Sequence, residues 1–347
     1  MNFRFLSLIL LTLILASFSL SQPDTLKRAG EARLRNIRQL TFGGENAEAY
    51  LSFSGKRLIF QSTRDTFHCD QIYSMNLDGG NVSLMSTGSG RTTCSYFLPG
   101  DSTYLFASTH RQGPECPPKP DFSKGYVWAV YPAYDIYLEK TGGGEPKLLS
   151  GSPGYDAEAT VSPVGDRIVF TSSRDGDLDL YSMKIDGTDV VRLTDEVGYD
   201  GGAFFSADGR KIVYRAYHPA DSAGKAEFLG LLGKGLVRPS VMEIYVMNAD
   251  GSGKTRITDY KAASFAPYFL PDGKKIIFAS NMNDPGKRNF DLYLVNTDGT
   301  GLEQVTFNDT FDGFPVFTSD GKKLIFASNR NAGRPGETNI FIADWVP

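Results

Sequence analysis

The chain has 347 residues and a formal net charge of −4; 41% of it is hydrophobic and 12% aromatic. A mildly acidic chain of this length can bury a large core, and its charge supplies no electrostatic reason for nucleic acid or anionic lipid as a partner. The long amphipathic helical patterns of an α/β enzyme are missing, while 37 glycines suit an all-β chain with many tight turns.

Taken from the start, Met1 to Ser21 reads as a secretory signal peptide. Arg4 is followed by the apolar run Leu6 to Leu20, the segment ends in the small residues Ser17, Ser19 and Ser21, and cleavage is expected before Gln22. The run is short for a membrane span and has no basic stop-transfer flank, so no span is expected after cleavage. No Cys stands near the cleavage point to accept a lipid. Residues 22–36 form a polar segment to which no role is assigned.

From residue 37 to 347 one phrase recurs. Its clearest copy is YDAEATVSPVGDRIVFTSSRDGDLDLYSMKIDGTDVVRLT from Tyr155, read as strands Ala159 to Val161, Arg167 to Thr171, Leu178 to Ile185 and Val190 to Leu193. Asp186-Gly187 between apolar runs is a strong hairpin signal, because Gly takes positive φ without a Cβ clash. The first turn returns as SFSGKRLIF, LPGDSTYLF, SPVGDRIVF, SADGRKIVY, LPDGKKIIF and TSDGKKLIF, six copies in all. Four short strands at such a period mark a propeller. The last unit stops after its third strand, and Ile37 to Phe42 repeats the fourth-strand ending seen at Arg192-Leu193-Thr194. The expected fold is therefore a six-bladed β-propeller of four-stranded antiparallel blades, closed by an N-terminal strand that completes the last blade.

Two units carry insertions, residues 113–133 in blade two and 219–240 in blade four, both between strands two and three. In an up-and-down blade that places both on the face where strand one begins, on either side of blade three. The first offers Tyr126, Trp128 and Tyr131; the second has an apolar knot, Phe228, Leu229, Leu231 and Leu232, that suits a short helix. Binding and packing on the blade edges are both open to them.

The same face collects the polar candidates. At the entrance to strand one stand Asn46, Thr92, Asp156, Asp200, Ser264 and Asp312, and two places on come Glu48, Cys94, Glu158, Gly202, Ala266 and Phe314. Strand two ends in Arg64, His110, Arg174, His218, Met282 and Arg330. Glu48, Asp156, Glu158, Asp200, Asp312, Arg64, Arg174, His110, His218 and Trp128 are the expected ligand-binding set. The competing expectation is architectural: an Arg ending strand two pairs with the acidic start of strand three, such as Asp179. His68, His110 and His218 lack short ligand spacing, so no metal is expected. The run Asp175, Asp177, Asp179 lacks the Gly and distal Glu of a calcium loop and reads as a solvated turn. Cys69, Cys94 and Cys116 allow three pairings, with Cys116 the favoured partner because its Pro-rich loop most needs a tether. Cys94 reads as a buried, inert thiol, the alternative being a reactive one at the channel.

These repeats, with SFAPYFLPDGKKIIFASN beside the blade-three phrase, resemble the β-propeller repeats of the TolB family over residues 37–347. The resemblance implies a six-bladed propeller in the periplasm or outside the cell and a protein-binding role in the envelope. TolB carries an α/β domain before its propeller, for which residues 22–36 leave no length, so a role in the Tol system is not carried over. No GxSxG, HExxH or Walker motif occurs, and no cofactor is expected. The expectation is a monomeric binding module for a protein, peptide or glycan. The alternative is a propeller hydrolase or lyase acting at the channel mouth through Asp, Glu and His.

Overall fold

The computed structural model describes residues 25–123 and 125–347. The signal peptide expected over residues 1–21 lies outside them. Six four-stranded antiparallel sheets are present, each running outward from strand one. Blade three comprises Asp156–Val161, Arg167–Ser172, Asp179–Lys184 and Val191–Arg192. All four predicted strands are there, with the first beginning three residues earlier.

The blades are held together by a repeated aromatic pair. The fourth residue of strand two (Phe60, Phe106, Phe170, Tyr214, Phe278, Phe326) is completely buried in every blade. It lies against the third residue of strand three (Tyr73, Tyr137, Tyr181, Tyr245, Tyr293, Phe341), with ring centroids 5.6–6.0 Å apart. Each such pair adds about 0.5–1.5 kcal/mol beyond the area it buries. Strand two is flanked by strands one and three and by neighbouring blades. Its run of apolar residues therefore does not alternate, as in Arg167–Ser172, where five of the six are buried.

The ring closes through Leu34–Gln39, which pairs antiparallel with Asn339–Trp345 as the outermost strand of blade six. The closing strand was expected over residues 37–42. It begins three residues earlier because its partner runs on to Trp345, opposite Leu34. A bulge between Arg35 and Arg38, with Asn36 at φ 50°, turns both Leu34 and Ile37 inward. The N-terminal segment is anchored beyond the strand: Glu31 is fully buried against Arg330, and Arg33 holds Glu303 with two hydrogen bonds of 2.6 and 2.8 Å.

The two insertions meet above blade three. Trp128–Ala129 pairs antiparallel with Leu236–Val237, making a small separate sheet. The apolar knot forms the helix Ser222–Leu232, N-capped by Asp221, whose carboxylate accepts from Gly224 N at 2.7 Å. Phe228 enters a cluster with Val130, Leu178, Tyr199, Val237 and Met242, whereas Leu229 stays 44% exposed. A Cys69–Cys116 disulfide ties the first insertion to blade one and leaves Cys94 free. The insertions thus form a lid on what we term the upper face.

Candidate functional site

The entrance residues of strand one are all buried, and they brace the blades. Asp156 accepts from Ser150 and Ser152 and pairs with Arg174 at 3.2 Å; Asp312 pairs with Arg330 at 2.8 Å. Asp200 meets His218 Nε2 at 3.0 Å, and Asn46 accepts from Arg64 at 3.1 Å. Burial pushes Asp312 up to about 6 against the pull of Arg330, and it raises Asp200 as well. The cation ending strand two therefore pairs with the start of strand one, not of strand three as expected. Asp179 is taken instead by Arg192 of strand four at 2.6 Å. Asp156 and Asp179 both lie opposite Ser172, on its two sides, and each buried carboxylate is met by a guanidinium from its own side.

The Asp175–Asp179 turn is also more closed than expected. Asp177 and Asp179 are buried; Asp177 accepts from Leu178 N and Gly198 N, and Asp175 accepts from the Tyr181 hydroxyl. His110 packs at a tilt against Tyr137, 4.4 Å between ring centroids, with Nδ1 3.0 Å from Ser108 Oγ. Burial, then the charge of Arg111, lowers its pKa. Among the described residues no three His, Cys, Asp or Glu side chains are grouped to hold a metal ion.

Two places along strand one the chain turns toward the axis. Glu48, Cys94, Glu158, Gly202, Ala266 and Phe314 all have φ between 50° and 57°, and each sits at a register shift between strands one and two. These six β-bulges line an axial cavity of ≈ 30 Å³, room for an ordered water or two. For the five non-glycine residues the left-handed backbone costs about 1–3 kcal/mol each, a strain the surrounding ladders sustain.

Within the cavity Glu158 is fully engaged. It accepts from Tyr199 OH (2.8 Å), Gly202 N (2.9 Å) and Thr171 Oγ1 (2.8 Å), and pairs with Arg215 Nη2 at 2.5 Å. Arg215 also donates to Tyr199 OH at 2.7 Å, and its guanidinium sits in the corner formed by the edge-on Trp128 and Tyr199 rings, 5.3 and 5.4 Å from their centroids. Trp128 meets Phe265 edge-on, and Phe265 packs at a tilt against Phe314, so aromatic rings cap the cavity beneath the lid. Glu48 accepts a long bond from Tyr50 OH, 3.4 Å, and is met by the Cys94 thiol. Burial and the charge of Glu158 push it up to about 7. Burial likewise raises the Cys94 thiol, which leaves it a poor nucleophile.

Arg215 and Tyr199 were not among the sequence candidates. The signal was present: at the place of Arg215 the other second strands carry Gln61, Ala107, Thr171, Ala279 and Ala327, and only blade four has Gly at the bulge.

Two places further on, strand one carries Tyr50, Tyr96, Thr160, Phe204, Tyr268 and Val316. Tyr50 and Phe204, from opposite blades, meet across the axis at 5.3 Å and close it. Below them, on the face opposite the lid, opens a funnel of ≈ 510 Å³. Its floor holds Tyr96 and Tyr268; its walls include Leu51, Leu77, Val161, Phe205, Phe269 and Phe317; the first turns of the blades form its rim.

The comparisons with known proteins agree with this architecture. The TolB beta propeller domain matches residues 234–344. A solved chain described as TolB from Agrobacterium tumefaciens superposes with a TM-score of 0.54 at 21% identity, over 88% of this chain and 91% of that one. The chain has the β-propeller fold that TolB contains. Oligogalacturonate lyase in complex with manganese shares this fold, with TM-score 0.52 and 12% identity over 92% of this chain and 95% of that one. Among curated proteins, dipeptidyl-peptidase 5 of Porphyromonas gingivalis is 46% identical over 39 residues, which are 11% of this chain and 6% of that relative. No helix among the described residues of the propeller is long and apolar enough to cross a membrane.

Proposed function

We propose that this propeller is a protein-binding module of the cell envelope that takes its partner in the lower funnel. The observation that carries this is the contrast between its two axial spaces. The carboxylates and thiol with catalytic potential, Glu48, Glu158 and Cys94, line a ≈ 30 Å³ cavity between the Trp128 cap and the Tyr50–Phe204 contact. Such a space has no room for a substrate. The ≈ 510 Å³ funnel falls in the size range of ligand sites, and its rim charges are already engaged. Asp320 accepts from Thr318 and Lys322 N, and Lys323 pairs with Asp344. The braced Asp156, Asp200, Asp312, Arg64, Arg174 and His218 likewise favour the funnel over the upper face as the working surface. An envelope location is supported by the Cys69–Cys116 disulfide, which persists in oxidising compartments.

The test is affinity capture from envelope extract with three baits: wild type, Ala207→Trp, and a chain with both lid insertions shortened. Ala207 is an exposed turn residue on the funnel wall, so Trp there fills the space without disturbing the core. A specific partner retained by wild type and by the lid-shortened chain, and lost on A207W, is the expected result. Retention by A207W with loss on lid shortening sinks the reading.

A further inference from the structure

We infer that the funnel recognises a neutral peptide segment: one bulky apolar side chain seated on its floor, with a backbone carbonyl accepting from the Tyr96 and Tyr268 hydroxyls. The inference rests on the funnel being the binding face and names what enters it.

The floor is made of aromatic rings held in place from behind. Tyr96 packs on Tyr50 at 5.5 Å and Tyr268 edge-on to Phe204 at 5.4 Å. Tyr50 turns its hydroxyl up toward Glu48, but Tyr96 and Tyr268 remain part-exposed at the funnel floor, and neither phenol has a hydrogen-bond partner among the described residues. Half-buried on an apolar floor and bonded to no neighbouring residue, the two phenols keep their donors free for an acceptor that enters the funnel.

The rest of the wall decides what carries the acceptor. Leu51, Val161, Phe205 and Phe317 offer dispersion and area, not hydrogen bonds. The charged residues lining the funnel, Asp320 and Lys323, are each bound to their own blade, so no free cation waits for a carboxylate and no free anion for an ammonium group. A saccharide of that volume brings a hydroxyl on nearly every carbon. On the rim, Ser52, Ser54 and Thr318 are bonded within their own turns, so two phenols and Ser319 leave most of those hydroxyls unpaired, each at a desolvation cost of about 1–3 kcal/mol. A peptide can turn one carbonyl, with its two lone pairs, to the two phenols and an apolar side chain to the walls while its N–H groups stay at the open rim.

The probe is N-acetyl-L-phenylalaninamide, with maltohexaose as the neutral saccharide, each titrated by saturation-transfer NMR against wild type, Tyr96→Phe/Tyr268→Phe and Ala207→Trp. Both Phe substitutions keep the ring and remove only the hydroxyl. The amide is expected to bind wild type, to lose about three- to tenfold in affinity for each hydroxyl removed, and to be excluded by A207W. Maltohexaose is expected not to bind. Equal affinity for wild type and the Phe variant, tighter binding of maltohexaose, or no binding of the amide to wild type overturns the inference. If, in addition, A207W still captures the wild-type partner from extract, the funnel reading falls too; if A207W loses that partner, the funnel stands and only the peptide anchor is wrong.

Discussion

Arg215 occupies the space that Gly202 leaves open. A Cβ built on Gly202 would lie 2.1 Å from Arg215 Nη1, and Gly202 has φ +57°. The two residues come from adjacent antiparallel strands of blade four, and the missing side chain on one is the channel through which the other reaches Glu158 on blade three. One glycine thereby lets a guanidinium cross from strand two to the axis and link neighbouring blades.

Gly202→Ala should therefore be far more damaging than Ala at an ordinary turn. The methyl displaces a guanidinium fixed by Glu158, Tyr199 and Trp128, and the residue itself must hold a left-handed backbone. A loss of about 3 kcal/mol is expected, near that of Arg215→Met, which leaves Glu158 buried without its cation. Urea denaturation of both single variants and the double variant checks this. Strong non-additivity identifies the Gly202–Arg215 pair as one unit, and simple addition of the two losses refutes it.

The fold was legible because it is repeated: six copies of one turn and one third strand reveal the period, and an orphan fourth-strand phrase near the start reveals the closure. The bulge ring was legible as an aligned column, Glu48 to Phe314, but not as a bulge, since Glu, Cys, Ala and Phe give no local signal for positive φ. Asp156, Asp200 and Asp312 looked like a channel mouth because charge in a repeat carries no indication of direction; the bulge two residues later turns Glu48 and Glu158 inward and leaves those aspartates facing their own strand-two cations. The funnel escaped notice because Phe205, Phe269 and Phe317 are indistinguishable in sequence from core residues at the same strand ends.

Glu48 should make stability depend on pH in a defined direction. Its pKa is pushed from 4.5 to about 7 in the folded chain, so between those values the folded state holds more protons than the unfolded one. The corresponding stabilisation is complete below about 4.5 and is lost as pH rises through about 7. Asp291, pushed up to about 7, and Asp312 and Asp179, each pushed up to about 6, act in the same sense, so the informative quantity is the difference between wild type and Glu48→Gln. The variant should show a shallower decline in thermal midpoint between pH 5 and pH 7. Parallel profiles for the two proteins would mean that Glu48 is not held protonated by its site.

Replacing both bridged cysteines, Cys69→Ser with Cys116→Ser, should cost about 2–4 kcal/mol, since the bond closes a long loop between blade one and the lid. The change should be local in the native state. Hydrogen exchange is expected to quicken over residues 117–127, where Phe122 and Tyr126 are 50% and 65% exposed, while Trp128–Ala129 keeps its pairing to Leu236–Val237. Exchange that quickens equally in blades five and six would show the disulfide to be a global rather than a local clamp.

Arg330 and Arg174 end strand two in blades six and three, yet they should not respond alike to replacement by Met. Arg330 is fully buried between Asp312 and Glu31, both also fully buried, and donates to the Leu26 carbonyl at 3.1 Å; Arg174 has a side chain 21% exposed and a single carboxylate partner, Asp156. Removing Arg330 leaves two carboxylates enclosed without a cation and releases the N-terminal segment that precedes the closing strand. Removing Arg174 leaves one carboxylate, still held by Ser150 and Ser152 and within reach of water. Arg330→Met should cost about 3–5 kcal/mol and Arg174→Met less than half of that. Because the first change also loosens Leu34–Gln39, it should expose the edge of Asn339–Trp345 and promote aggregation on mild heating. Light scattering alongside the unfolding curves measures both effects, and equal losses in the two variants, with no rise in scattering for R330M, would show that the latch in blade six is no stronger than its counterpart in blade three.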